Sequence, residues 1–280
     1  MTAIDSSTTA DPSEPSALAG WMNRNRFLLR RLHSLSGILF GGYIVVHLAV
    51  NATLLQGGGV YQTQVDKIHS LPFLMLVELV AIIGPIFYHA IYGTLIVLAG
   101  RPNVSNYGYT RNWAYFWQRV TSIILIFFIA FHVMSMKGLI GGSLGTALTF
   151  VPEDYATEST VRHLQAAWWV SWVVYPVGIL AATFHLANGF WAAAVTWGLT
   201  VRAKSQKLWG YACVLLFLFT SACGFAALFA ALAADTDSER YAATARAQKE
   251  GYDAEAGASE LIDQKDDGED VQGEPEPGDE

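Results

Sequence analysis

Four histidines lie deep inside long apolar segments, where an ionisable side chain needs a specific role. His47, His89, His132 and His185 each fall in a different segment, and His89 and His185 share the pattern His-x-x-x-Gly. An imidazole in hydrocarbon is costly unless something satisfies it, so a residue of this type at such a depth predicts a functional site. A neutral imidazole can ligate a metal, carry a proton or bond to a neighbouring helix.

The composition predicts that these histidines are positioned by membrane-spanning helices. Of the 280 residues, 52% are hydrophobic and only 15% are charged, against about 25% charged residues in soluble domains. Five segments reach the ~20 residues that a membrane-crossing helix needs. The sequence therefore predicts an all-α membrane protein with five transmembrane helices, of which the first four carry the histidines. We expect the spans at about 32–55, 72–99, 115–137, 167–199 and 208–232.

Three regions are expected along the chain. The composition of residues 1–20 predicts a disordered extension. It is not expected to be a signal peptide, because it has no apolar stretch. Residues 21–233 form the transmembrane domain, and residues 234–280 form an acidic tail whose composition cannot bury a core. Little is left for a large soluble domain, so chemistry on a soluble substrate is expected to come from a partner protein. Lipid is the other expected contact, and no nucleic acid is expected.

The distribution of basic residues predicts the orientation in the membrane. The N-terminal piece and the segments after spans two and four hold ten basic residues, whereas the segments after spans one and three hold three. Because basic residues concentrate on the cytoplasmic side, the N-terminus is expected in the cytoplasm and the C-terminus outside. The ten basic residues are Arg24, Arg26, Arg30, Arg31, Arg101, Arg111, Arg119, Arg202, Lys204 and Lys207.

With this orientation the histidines fall at two depths. His47 and His132 lie near the outer ends of their spans, His47 about 12 Å from the end, whereas His89 and His185 lie roughly 25 Å from it. We call His47 and His132 the outer pair and His89 and His185 the inner pair. Two histidines at one depth on separate helices suit the axial ligation of a haem iron. The first four spans are therefore predicted to form a haem-binding bundle.

Small residues support this prediction for the inner pair. Gly93 and Gly189 lie four positions after His89 and His185 and so share their helix faces. Span one offers Gly37, Gly41 and Gly42 for the same purpose.

Other interpretations of the buried histidines stay open at this point. Each could bond to a neighbouring helix, or the four could carry protons in a haem-free, proton-coupled transporter. Proton relays usually recruit buried carboxylates, and Glu78 is the only acid well inside a span. A third interpretation is a haem-free anchor that only docks soluble subunits.

The remaining candidate residues lie nearer the ends of the spans. His33 stands beside Arg31 and would contact a haem propionate or cap a basic interface, and Arg119 is a second candidate for a propionate. His69 and His163 are expected to be ordinary solvated residues. Asn51 would lie near the outer pair or cap the end of its helix.

Motifs distributed along residues 21–232 resemble one family, the single large diheme cytochrome b anchor of succinate dehydrogenases and fumarate reductases. The motifs keep the same order and register over this whole length. They are Arg30-Arg31-Leu32-His33-Ser34-Leu35, Val46-His47-Leu48-Ala49-Val50-Asn51, Ser70-Leu71-Pro72-Phe73, Pro85-Ile86-Phe87-Tyr88-His89-Ala90-Ile91-Tyr92-Gly93, Tyr109-Thr110-Arg111-Asn112-Trp113, Gln118-Arg119-Val120-Thr121, Phe131-His132-Val133, Phe184-His185-Leu186-Ala187-Asn188-Gly189-Phe190-Trp191 and Ala194-Val195-Thr196-Trp197-Gly198.

The resemblance implies a function and a set of ligands. The inner pair would hold one b haem nearer the cytoplasm, and the outer pair a second b haem nearer the outside. The partners would be a flavoprotein with covalent FAD, which oxidises succinate, and an iron–sulfur subunit, both on the cytoplasmic side of the cell's inner membrane. Electrons would reach a quinone, usually menaquinone, near the outer haem. The whole would be the respiratory complex II of the tricarboxylic acid cycle.

One position bears on the direction of the reaction. Fumarate reductases of this family carry a glutamate two residues before the ligand in span four, and here that position is Thr183. Succinate oxidation is therefore favoured over fumarate reduction. The alternative within electron transfer is the cytochrome b subunit of a fumarate reductase or another dehydrogenase, such as a hydrogenase or formate dehydrogenase.

Overall fold

Helices make up the elements of the chain that the structure, a computed structural model, describes. It covers residues 17–101, 103–152 and 155–234, so most of the predicted extension and nearly all of the predicted tail lie outside the described residues. The α-helices are α1 Ala17–Arg24, α2 Arg26–Ala52, α3 Gly58–His69, α4 Leu74–Val77, α5 Gly84–Ala99, α6 Thr110–Met136, α7 Gly142–Leu148, α8 Ala156–Gln165, α9 Tyr175–Thr196 and α10 Ala203–Ala233.

Five helical segments of this described part are long and apolar enough to cross a membrane, which confirms the predicted fold class. Spans one, three and five begin several residues earlier than predicted, because basic and aromatic residues are absorbed into their first turns. The first helix likewise begins at Ala17, inside the predicted extension. The spans are Arg26–Gln56, Leu74–Ala99, Thr110–Met136, Val170–Thr196 and Ala203–Ala233.

Prolines shape spans two and four. A π-helical turn, Glu78–Ile83, precedes Pro85, and a second one, Val170–Val174, precedes Pro176. Proline has no backbone N–H and its ring clashes with the carbonyl four residues earlier, so the preceding turn widens. Single π turns of this kind are frequent at functional sites. Each one here lies on the N-terminal side of an inner-pair histidine.

The spans pack so that the helices carrying paired histidines are not close neighbours. Span one packs mainly against α5 and α10, and α9 packs mainly against α6 and α10. His47 on span one nevertheless faces His132 on α6, and His89 on α5 faces His185 on α9. Each pair therefore reaches across a gap between spans.

A small helical layer, which we call the cap, covers one end of the bundle. It consists of α3, α7 and α8 and contacts the end of span one, the start of span four and the end of α10. Gly57, with φ of 122°, makes the sharp break from span one into the cap, a conformation that favours glycine. The most deeply buried apolar cluster of the described residues lies here. It includes Leu54, Tyr61, Val65, Leu148, Val161, Leu164, Val170 and Leu228.

Candidate functional site

The structure brings the four deep histidines together in the two pairs that the depth count predicts. The ring centroids of His47 and His132 lie 6.0 Å apart with the planes at 77°. Those of His89 and His185 lie 6.1 Å apart with the planes at 82°. A metal bound to one nitrogen of each ring at about 2.0–2.1 Å would separate the ring centres by about 6 Å. Each gap therefore has the width for one metal ion between two imidazoles.

The imidazole rings of these four histidines all make their hydrogen bonds through Nδ1. Metal-bound histidines typically use their second ring nitrogen for such a bond, which fixes the orientation of the ring. No hydrogen bond among the described residues reaches Nε2 of any of the four. The Nδ1 partners are the Tyr43 hydroxyl at 3.4 Å for His47, the His33 carbonyl at 3.1 Å for His89, the Tyr175 hydroxyl at 2.9 Å for His132 and the Thr121 hydroxyl at 3.2 Å for His185.

The partners of the inner pair also fix where the protons lie. The His33 carbonyl can only accept, so His89 must donate from Nδ1. The Thr121 hydroxyl donates to the carbonyl of Trp117 at 2.8 Å, so its oxygen accepts from Nδ1 of His185. In both rings Nε2 then keeps its lone pair. This is the protonation state that a metal ligand needs.

Close helix packing holds the inner pair in place. A Cβ atom on Gly37 would lie 2.6 Å from Cε1 of His89, so only glycine lets that ring approach span one. Gly93 lies against the His33 ring, where a Cβ would stand 3.1 Å from Cε1. Gly189 lies in ordinary contact with Gln118. The glycines of spans one and two thus make room for imidazole rings.

His33 is part of the inner site. Its ring stacks on His89 with centroids 4.1 Å apart and planes at 15°. Its Nδ1 is buried and has no hydrogen-bond partner among the described residues. A buried nitrogen without a partner is rare and calls for an acceptor or donor. A propionate beside the inner pair would meet that need.

The two arginines named as candidate propionate contacts both tie helices together. Arg31 stacks on the Trp197 ring at 4.7 Å from the centroid, which links span one to the end of α9. Arg119 donates to the carbonyls of Val97 and Gly100 and to the hydroxyl of Tyr115. The carbonyls at the end of span two would otherwise lack partners. The role of either arginine toward a propionate stays a prediction.

His163 is not the solvated residue that the sequence suggests; that expectation was wrong. It is 0% exposed, and it bonds through Nδ1 to the Leu148 carbonyl at 2.6 Å and through Nε2 to the Tyr175 hydroxyl at 2.6 Å. Burial lowers its pKa, and the bond to Leu148 opposes this only in part. His69, by contrast, is exposed as expected.

The sequence held a signal for the burial of His163. Glu158 and Arg162 stand four residues apart on α8 and mark its polar face. At 100° per residue, His163 lies about 120° around the helix from the middle of that face, on the buried side. The role of Tyr175 is harder to predict from the sequence, because an aromatic residue next to a proline is ordinary in a membrane span.

Two amides brace the backbone of the histidines. The Asn51 amide donates to the His47 carbonyl at 2.7 Å, and the Gln118 amide donates to the His185 carbonyl at 3.1 Å. The Tyr61 hydroxyl from the cap contacts Asn51 at 3.5 Å and Thr160 at 3.1 Å. Asn51 therefore serves both the last turn of its helix and the outer pair.

The donor set indicates which kind of group the pairs would hold. No group of three or more His, Cys, Asp or Glu side chains within the described ranges could hold a metal ion. Each pair thus offers two ring nitrogens, from imidazoles whose centroids lie 6.0 and 6.1 Å apart. Two opposed imidazoles are the axial ligands of a b-type haem, whose porphyrin supplies the other four nitrogens. The geometry of both pairs fits that group.

The chain is similar to a known membrane-anchor subunit. Over 211 residues the chain is 35% identical to the succinate dehydrogenase cytochrome b558 subunit of Bacillus subtilis (strain 168). The match covers 75% of this chain and 99% of that protein. No protein-family model matches the chain.

Proposed function

The chain belongs to the family of succinate dehydrogenase cytochrome b subunits, and from this premise we propose that its two histidine pairs each hold a b haem. It is the membrane-anchor cytochrome b subunit of a succinate:quinone oxidoreductase, built from five membrane-spanning helices. When bound, the two haems would supply one-electron carriers between a partner subunit and a quinone. His89 and His185 would ligate the inner iron, and His47 and His132 would ligate the outer iron.

The observation that carries this proposal is the geometry repeated in both pairs. Two imidazoles face each other at 6.0 and 6.1 Å, every Nδ1 has a hydrogen-bond partner, and every Nε2 is left for another ligand. Four histidines that only braced neighbouring helices would have no reason to repeat this arrangement twice. His33, with its unpartnered buried Nδ1, is placed to contact a propionate of the inner haem. Arg31 and Arg119 are weaker candidates for the same role.

The partners follow from the family. We propose a flavoprotein with FAD, which oxidises succinate, and an iron–sulfur subunit, both docked on the cytoplasmic side. The positive-inside bias supports a cytoplasmic N-terminus and an outer C-terminus. The cap then covers the outer pair. The quinone, in our proposal menaquinone, is reduced by this subunit near the outer pair.

Thr183 supports succinate oxidation as the direction. Its side chain is fully buried, its hydroxyl donates to the Ile179 carbonyl at 2.8 Å, and it accepts from Ser221 of α10 at 2.9 Å. No carboxylate stands at this position to carry protons across the membrane beside the inner pair. Reduction of fumarate by menaquinol would call for one there.

The dithionite-reduced minus oxidised absorption spectrum of membranes containing the full chain tests the proposal, with haem quantified as its pyridine haemochrome. We expect two b haems per polypeptide. One haem would overturn the ligand assignment of one pair, and the outer pair would be the first in doubt. No haem would overturn the proposal and leave the proton-coupled transporter as the better interpretation.

A further inference from the structure

A chain of buried side chains runs from the cap to the outer pair. The Leu148 carbonyl at the end of α7 contacts Nδ1 of His163 on α8 at 2.6 Å. Nε2 of His163 contacts the Tyr175 hydroxyl on α9 at 2.6 Å, and that hydroxyl contacts Nδ1 of His132 on α6 at 2.9 Å. Leu148 and His163 are 0% exposed and Tyr175 is 9% exposed. Four different helices thus meet in one water-excluded line of hydrogen bonds.

The first member of this line decides the direction of every bond in it. A carbonyl oxygen can only accept, so His163 donates from Nδ1. The His163 ring is 0% exposed and a buried imidazole is costly to charge, so the ring is neutral and Nε2 accepts. The single proton of the Tyr175 hydroxyl is then given to His163, and the hydroxyl oxygen accepts from Nδ1 of His132. The proton of His132 is therefore on Nδ1, and its Nε2 keeps the lone pair.

We propose that His163 and Tyr175 are positioning residues that set the tautomer and the electron donation of His132 as a ligand of the outer haem. This rests on the proposed function, because it takes His132 as an iron ligand. A neutral imidazole that donates from its second nitrogen becomes a more basic ligand. A more basic axial ligand stabilises the oxidised iron, so the line lowers the midpoint potential of the outer haem.

The inner pair offers a matched comparison within the same molecule. There Nδ1 of His185 bonds to the Thr121 hydroxyl, which lies inside a span and, within the described ranges, makes no hydrogen bond to the cap. The outer haem is therefore the one whose potential depends on an extramembrane helix. A change in α8 should reach the outer haem and leave the inner one unaffected.

Redox titration of both haems in membranes, with the full chain assembled with its partner subunits, tests the proposal. Haem content and the low-spin ferric resonance signals are recorded in the same samples. The variants are Tyr175→Phe, which removes the acceptor, His163→Leu, which removes the next link, and His163→Gln. A glutamine amide can donate to Leu148 and accept from Tyr175 in the same order. Thr121→Val serves as the matched variant of the inner pair.

The expected result is specific to one haem. Tyr175→Phe and His163→Leu each shift the midpoint potential of the outer haem to more positive values and leave that of the inner haem unchanged. His163→Gln returns the outer potential toward that of the unmodified protein, and Thr121→Val shifts the inner potential alone.

Three results would overturn the proposal: an unchanged outer potential in Tyr175→Phe, an equal shift of both haems, or a His163→Gln variant that behaves like His163→Leu. If Tyr175→Phe binds no haem at all, the two His163 variants decide by the same criteria. The unmodified chain is measured first. Absence of haem there would overturn the proposed function itself, whereas a single haem would overturn only the ligand assignment of one pair.

Discussion

The two histidine pairs have the same spacing but opposite kinds of support. The inner pair is held by contacts within the membrane spans: the His33 carbonyl, the Thr121 hydroxyl and the close approach of Gly37. In the outer pair, His47 bonds to Tyr43 within its own span, whereas His132 is held through side chains that lead out of the spans, by way of Tyr175 and His163 to the cap. The inner site is thus built by helix packing and the outer site by a polar network anchored outside the membrane.

The two pairs therefore differ in what controls the properties of a bound haem: helix packing at the inner pair and a polar network at the outer pair. Helix packing fixes distances but leaves few groups whose replacement changes electron donation. A polar network changes the ligand's basicity through every bond in it, and buried networks are sensitive because each unmade bond is costly. We therefore expect changes in the helix packing of the inner pair, such as at Gly37, to alter whether a haem is held. Changes in the outer network should alter how a bound haem behaves.

Removal of a ligand from each pair should give the largest effect. His185→Ala and His132→Ala should each lose one b haem, and a different one. Loss of a direct ligand should exceed the ~10–100-fold effect typical of an outer-shell partner, so His185→Ala should abolish succinate–quinone activity. Haem quantitation and the reduced spectrum of membranes measure this. If both variants lost the same haem, the two pairs would not be separate sites.

Gly37→Ala should break the inner pair selectively. The new Cβ would stand 2.6 Å from Cε1 of His89, so the imidazole must shift away from span one. Loss of a residue that orients a metal ligand typically weakens binding ~10–100-fold, so haem retention should weaken about tenfold. Gly42→Ala is the matched control, since a Cβ there meets nothing within 4 Å. Both changes raise the helix propensity of span one by roughly 1 kcal/mol. Any difference in haem retention between the two variants therefore comes from the contact with His89, and an assay of haem release on heating measures it. Equal retention would show that Gly37 does not position His89.

The sequence predicted what depends on hydropathy and depth, and missed what depends on a lateral contact. The five spans and the partnership of His89 with His185 follow from apolar length and residue counting, because a membrane fixes the axial position of a residue. The links from His163 to Tyr175 and from Thr121 to His185 depend on how helices rotate about their axes. Rotation is set by packing against neighbours, which a single sequence records only indirectly. His163 was predicted to be solvated because it lies between spans three and four, and only its position on α8, away from Glu158 and Arg162, indicates burial.

The buried His163 makes a contribution to stability that depends on pH. Burial lowers its pKa in the folded protein, whereas the unfolded chain has an ordinary value of about 6.5. Below about pH 6.5 the unfolded state takes up a proton that the folded state does not, so stability falls by up to about 1.4 kcal/mol per pH unit. In the His163→Gln variant, the free energy of unfolding should lack this part of the decline as the pH falls. Unfolding midpoints in detergent between pH 7.5 and 5.5 measure the difference, and parallel curves would show that His163 is not held neutral.

The smallest expected effect compares the two amides that brace the histidine backbones. Asn51→Ala removes the bond to the His47 carbonyl and the long 3.5 Å contact from Tyr61, whose hydroxyl keeps Thr160 as a partner, and should destabilise the protein by about 1 kcal/mol. Gln118→Ala removes a bond to the His185 carbonyl and also leaves Asn188 without the acceptor it reaches at 2.8 Å. It should therefore destabilise the protein by more, about 1–3 kcal/mol, since the half-buried Asn188 amide keeps only the long 3.4 Å bond to the Ala114 carbonyl. Thermal unfolding measures which variant is less stable. Haem content shows which pair each variant affects: we expect the outer pair for Asn51→Ala and the inner pair for Gln118→Ala. The reverse ranking would mean that the cap, through Tyr61 and Asn51, supports the bundle more than the inner amides do.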